Sequence, residues 1–189
     1  MASQERRAII ADAVGIGVAT GAYGVSFGAI SAAAGLSLLQ TSALSLLMFT
    51  GASQFAMVAL IGGGGTPLAG AATAVLLGTR NAFYGLRLSS LLGGKKRALA
   101  AQLVIDESTA MAVAADSPEA ARVAFWATGI AVFVLWNAGT LAGAVGAQAI
   151  PDPKTLGLDA AAPAAFLALL APRMKGGRTW SVALVAAAV

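Results

Sequence analysis

The stretch AVGIGVATGAYGVSFGAISAAAGLSLLQTSALSLLMFTGASQFAMVALIGGGGTPLAGAATAVLLGT, Ala13–Thr79, contains no charged side chain. An ordinary soluble domain carries about 25% charged residues, so a run this long has no water-facing surface to offer. A helix crosses a bilayer with about 20 apolar residues. The run therefore predicts two spans, about Ile9–Ala33 and about Leu36–Ile61, ended by the breaker GGGGTP at Gly62–Pro67. The rest of the chain has the same character. Of 189 residues, 58% are hydrophobic and 11% charged, and mean hydropathy is +0.82. That allows about six or seven crossings and leaves no room for a soluble domain.

Further apolar stretches follow at Pro67–Leu92, Ala98–Ala115, Val123–Ile150 and Ala160–Pro172. The loops between them are GGKKR (Gly93–Arg97), DSPEAAR (Asp116–Arg122), PDPKTLGLD (Pro151–Asp159) and RMKGGR (Arg173–Arg178). The expected fold is all-α: a polytopic transmembrane bundle of about six segments in one domain over residues 1–189. The final apolar run, Thr179–Val189, is too short to cross, and a C-terminal truncation is the expected reason. The N-terminus reads as an uncleaved span, because charges at Glu5, Arg6, Arg7 and Asp12 precede a run longer than a signal h-region.

Charge sets a parity problem. The net charge is +4, and the basic residues cluster between apolar runs in the positive-inside manner, which points to membrane orientation rather than nucleic acid. Arg6–Arg7, Lys95–Arg97 and Arg173–Arg178 all belong on the cytoplasmic side, yet odd numbers of segments separate them. At least one helix is therefore expected to be broken or re-entrant, with Ala98–Ala115 the first candidate. Such breaks are tolerated at membrane depth where they line a cavity, and they often build transport sites. A weak internal repeat pairs Phe27–Ala59 with Phe83–Ala114.

Several residues are costly enough to need a reason. Gly17, Gly21, Gly24 and Gly28 form one bare stripe, and Gly139 and Gly143 a second, suited to close helix packing or to sliding. FTGASQF (Phe49–Phe55) places Gln54 at membrane depth, with Thr50 expected one turn earlier on the same face. In TRNAFYGLRLS (Thr79–Ser89), Arg80, Tyr84 and Arg87 share a face. Arg87 can snorkel, whereas Arg80 lies about 20 Å of helix from the basic loop. A charge at mid-membrane costs about 2.5–3.5 kcal/mol on insertion scales and marks a partner or ligand. QLVIDESTAM (Gln102–Met111) supplies Asp106 and Glu107 as counter-charges, with Gln102, Asp106 and Thr109 expected on one face. The Arg80–Asp106 pair is either a static clamp or a site that exchanges a proton. Trp126 and Trp180 read as interfacial anchors, Trp136 as internal, and Asp159 as a helix cap.

Absences narrow the function. There is no cysteine and no histidine, which removes Cys or His metal ligation, Ser–His chemistry and disulfides. GGGGTP lacks the lysine of a phosphate loop. No cofactor and no enzymatic role are expected.

The ordered set FGAISAAAGLS, SLLMFTGASQF, GTRNAFYGLRLS, VIDESTAMA, VLWNAGTLAGAVG and LGLDAAAPAAFLALLAPRMK, from about Val14 to Lys175, resembles the AzlC family. These are the large subunits of bacterial branched-chain amino-acid exporters. The resemblance implies export of L-valine, leucine, isoleucine and sometimes methionine across the bacterial inner membrane. It also implies a small AzlD-type membrane partner. Many members carry Arg-His where this chain has Arg80-Asn81, so Asn81 is expected to line the path without carrying a proton. A zwitterionic substrate would need Arg80 for its carboxylate and Asp106, Glu107 or Gln54 for its ammonium. A channel, a transporter of another small solute, and an assembly subunit remain alternatives.

Overall fold

The computed structural model describes residues 1–94 and 96–149. The chain groups into two units, Met1–Pro151 and Asp152–Val189, and the description concerns the first. The expectations for Asp159, Ala160–Pro172, Trp180 and Thr179–Val189 lie outside the described residues.

Every regular element among the described residues is a helix: α1 (Ser3–Ala33), α2 (Leu38–Leu47), α3 (Ala52–Gly62), α4 (Pro67–Leu88), α5 (Arg97–Gln102), α6 (Asp106–Val113) and α7 (Pro118–Gln148). Two of these, α1 and α7, are long and apolar enough to cross a membrane. Among the described residues these two candidate spans are what the helices show, and the expected bundle of about six segments is not confirmed by them. The uncharged run Leu36–Ile61 is the clearest departure, being two helices of 10 and 11 residues rather than one span.

Local chemistry sets the ends. Gly35 takes φ +86, and Leu36 N donates to Ser31 O at 3.1 Å, closing α1 with a left-handed glycine cap. Ser37 and Gln40 then exchange hydrogen bonds at 2.8 and 3.2 Å to start α2. Ser117 caps α7 through Ala120 N, with Pro118 in its first turn.

Helices α1 and α7 run parallel. Partners advance together along both: Gly17 meets Ala131 and Leu135, Gly24 meets Trp136, and Gly28 meets Thr140 and Ala144. The return contacts come from α7, where Gly139 meets Gly21 and Gly143 meets Val25. Glycine is required because the backbones touch, and a Cβ on Gly24 would stand 2.6 Å from Trp136 O. The stripe is thus a packing seam. The Met1 amine donates to Glu119 Oε2 at 2.8 Å, joining the two helix starts.

Contacts along α7 show that both short pairs turn back. Going down α2, Ser45 donates to Thr140 at 3.2 Å and Phe49 packs on Phe133 at 5.0 Å. The chain then reverses, with Phe55 against Trp136 and Gly62 beside Ala34 at the end of α1. So α2–α3 is a hairpin that enters from the end where α1 finishes and returns there. Helix α4 descends past it: Gly70 lies by Met57 and Ile61, Gly78 by Ser53, and Leu91, just beyond α4, accepts from Arg122 near the start of α7. From that lower end α5 rises. Lys96 sits over Trp126, and Leu103 reaches Gly129. Helix α6 then returns, so that Ala112 and Asp116 lie near Arg87 and Arg122. This is a second hairpin, entering from the opposite end.

The hairpin tips reach Phe133 and Gly129, about 23 and 17 Å along a helix about 46 Å long. They meet at mid-depth. The expected parity conflict disappears for the described residues, because both broken pairs return to their own end. Arg6, Arg7, Arg87, Lys96, Arg97 and Arg122 accordingly gather at one end of the bundle.

Candidate functional site

A broken helix frees backbone groups that must find other partners at membrane depth. Gly51, at φ +63, makes the break in the first hairpin. Gln54 is fully buried and answers both sides of it: its Oε1 accepts from Gly51 N and its Nε2 donates to Leu44 O, each at 3.0 Å. Gln102 Nε2 reaches across from the second hairpin to Leu46 O at 2.8 Å. At the second tip, Ser108 Oγ donates to Leu103 O at 2.6 Å and accepts from Ile105 N at 3.2 Å.

Arg80 ties these tips together. Its Nη2 donates to Thr50 O at 3.2 Å, in the first break. Its Nη1 meets Asp106 Oδ2 at 2.9 Å, at the first residue of α6. The side chains of Arg80 and Asp106 remain 35% and 43% exposed, so the pair can be approached from outside the packed helices. A guanidinium suits a carboxylate because its planar fork presents several donors at once. Here one donor holds backbone, one holds Asp106, and Nε is buried without a partner.

Other unpaired polar atoms lie along the same elements. They include Thr41 Oγ1 on α2, Ser53 Oγ at the start of α3, Asn81 Oδ1 beside Arg80, and Thr109 Oγ1 one turn beyond Asp106. Trp136 is 5% exposed, stacks on Phe27 at 5.9 Å, and leaves its Nε1 unpaired. Buried polar atoms without partners are few in native proteins, so each of these asks for an explanation. Glu107 is half-buried on α6, and Tyr84 lies one turn beyond Arg80 on α4.

Of the expected residues, the structure brings Arg80 and Asp106 into contact and places Asn81 and Glu107 beside them in sequence. Gln54 stands in the wall of the site, its amide committed to the hairpin. Two expectations are corrected. Thr50 does not precede Gln54 on a helix face, because it lies in the break and contributes a carbonyl. Gln102 does not share a face with Asp106, because α5 and α6 are separate helices. Sequence reasoning missed Ser108 as a tip residue and Gln102 as the bridge between hairpins. Its signal was a lone glutamine in an apolar run. Among the described residues no cluster of ligands could hold a metal.

A family model described as AzlC protein matches residues 15–150, well over half of the chain. Neither the curated proteins nor the solved structures give a match. The matched region spans both hairpins, the Arg80–Asp106 pair and the glycine seam, and the chain belongs to the AzlC family.

Proposed function

We propose that the protein is the large subunit of a proton-coupled secondary exporter of branched-chain amino acids. Family membership supports a role in membrane transport and not in enzymatic turnover. The finer reading rests on one observation: Arg80 and Asp106 form a 2.9 Å pair where two opposed hairpin tips meet.

A zwitterion can divide that pair, its carboxylate going to Arg80 and its ammonium to Asp106. Apolar side chains such as those of valine, leucine, isoleucine and methionine would rest against an aromatic cluster formed by α1, α3 and α7. Phe27 and Phe55 lie 5.5 Å apart there, with Trp136 beside them. Export driven by inward protons requires that proton and substrate exclude one another. Asp106 meets this condition, because once protonated it no longer attracts an ammonium. Glu107, Asn81 and Tyr84 complete the path. The hairpin entering from each end acts as the gate for that end, as half-helices do in transporters with opposed repeats. The basic end faces the cytoplasm of a bacterial cell whose inner membrane the chain crosses several times. A small AzlD-type subunit is its partner.

The test is export from cells that lack other exporters and are fed a valine-containing dipeptide. Faster release of free valine, abolished by an uncoupler and by Asp106→Asn, is expected when the chain is expressed with its partner. Unchanged release despite confirmed insertion would end the amino-acid reading. A static clamp is the second reading, favoured by Arg80 holding both Thr50 O and Asp106. Exchanging the charges of Arg80 and Asp106 restores assembly and transport together if the pair is a clamp. It restores assembly alone if the pair couples protons.

A further inference from the structure

A second polar site lies away from the mid-depth pair, at the basic end of the bundle. The end of α4, the end of α6 and the start of α7 line an open cavity of about 400 Å³. Arg87 and Arg122 line it, with Asp116, Ser90, Leu91 and Val113. Arg122 Nε donates to Leu91 O at 3.3 Å, which ties that guanidinium to the chain just beyond α4. Neither arginine forms an ion pair among the described residues, although Asp116 lines the same cavity. Both arginines are exposed, and Val113 is 51% exposed at the rim.

Depth decides what such a cavity meets. Arg87 lies seven residues beyond Arg80, about 10 Å further along α4 from mid-depth. That places it near the boundary of a hydrocarbon core about 30 Å thick. Trp126 and Lys96 occupy the same end, with the Lys96 ammonium 5.9 Å from the indole centre, as an interfacial anchor would. A pocket at this level opens toward lipid headgroups. Arginines in pockets between spanning helices on the cytoplasmic side are a recurrent way of holding them.

We infer that this cavity binds one glycerophospholipid by its headgroup. The two guanidiniums take the phosphodiester oxygens, and Asp116 accepts a hydrogen bond from an N–H or O–H group beyond the phosphate. Acyl chains leave past Val113. The carboxylate makes the site selective, because an ethanolamine ammonium or a glycerol hydroxyl can donate to Asp116 and a choline headgroup cannot. The site is independent of Arg80 and Asp106, so it stands whether or not the transport reading does.

The full chain, purified in detergent, is titrated with ethanolamine, glycerol and choline phospholipids of identical acyl chains, and with inorganic phosphate alone. Binding is read by native mass spectrometry and by thermal stabilisation. One ethanolamine or glycerol lipid is expected to bind at least tenfold more tightly than the choline lipid. Arg87→Gln alone, and Arg87→Gln with Arg122→Gln, should lose that preference. Arg6→Gln with Arg7→Gln, which removes the same charge at the same end, should keep it. Asp116→Asn should let the choline lipid approach the others. Equal binding of all three lipids, equal protection by inorganic phosphate, or equal loss in both double variants would overturn the inference. Arg87→Gln is the decisive variant, because that side chain is exposed and has no bond to the fold among the described residues.

Discussion

The seam between α1 and α7 makes a graded prediction. Alanine is placed in turn at Gly15, Gly17, Gly24 and Gly28, all on α1. A Cβ at Gly15 meets nothing within 4 Å, so only helix propensity acts there. Alanine should then stabilise by about 0.5–1 kcal/mol. At Gly17 the nearest atom is Leu135 Cδ1 at 2.9 Å, which can rotate away, although the Ala131 backbone follows at 3.0 Å. At Gly24 the obstacle is backbone, Trp136 O at 2.6 Å. Gly28 is worse, since its Cβ would overlap Thr140 O and stand 2.7 Å from Ala144 N. Comfortable contact needs about 3.5 Å, so the helices must part by nearly an ångström at Gly24 and by more than that at Gly28. Overpacking of this kind costs about 1–3 kcal/mol or more. For a chain of this size each kcal/mol moves Tm by about 2–4 °C. Gly28→Ala should therefore lower Tm by about 4–10 °C, Gly24→Ala by somewhat less, and Gly17→Ala by a few degrees. Size-exclusion recovery after heating in detergent reads the series. If Gly28→Ala melts with Gly15→Ala, the backbones do not touch and the parallel seam is wrong.

Further outcomes follow from the hairpins. Gln54→Leu leaves Gly51 N unpaired and Leu44 O with only its bond from Met48 N, and about 1–3 kcal/mol of stability should go with the change, seen in the same melting assay. Arg80→Lys keeps a charge for Asp106 but cannot also hold Thr50 O in a planar fork, so transport should fall at least tenfold at equal protein level; full activity would remove the fork from the mechanism. The chain has no cysteine, so single cysteines report sidedness cleanly. Cysteines at Ala2 and Gly93 should react with an impermeant maleimide from one side of the membrane, and one at Leu68 from the other. Labelling of Leu68 and Ala2 from the same side would mean that α2–α3 crosses after all.

The sequence made Arg80 and Asp106 readable because charge in an apolar run has few explanations, and the counter-charge lay near the middle of the apolar segment Ala98–Ala115. The glycine stripe was equally plain, since its spacing follows one helical face. The two returns were harder. Leu36–Ile61 has the length and composition of a span, and its break rests on one positive-φ glycine without a proline. Apolar residues that face lipid and apolar residues that line a hairpin look alike in a list. What does distinguish them is an amide side chain that satisfies a backbone group at the break, and Gln54, on Gly51 N, and Gln102, on Leu46 O, carried that information. The parity of the basic loops also pointed to a return, and it named Ala98–Ala115 first because that segment holds carboxylates. The absence of charge hid the same behaviour in Leu36–Ile61.

The parallel seam also has a consequence in time. Met1 and Glu119, which meet at one end of the seam, are 118 residues apart in the chain. Synthesis at about 5–20 residues per second separates the emergence of the two helices by roughly 6–24 seconds. During that interval α1 sits in the membrane with its glycine face unmatched, and both hairpins have been made before the wall that seats them. Assembly of this protein is therefore a late event. The ribosome must finish α7 before α1 has a backbone to lie against, and any chaperone or insertase that shelters α1 has to release it only then.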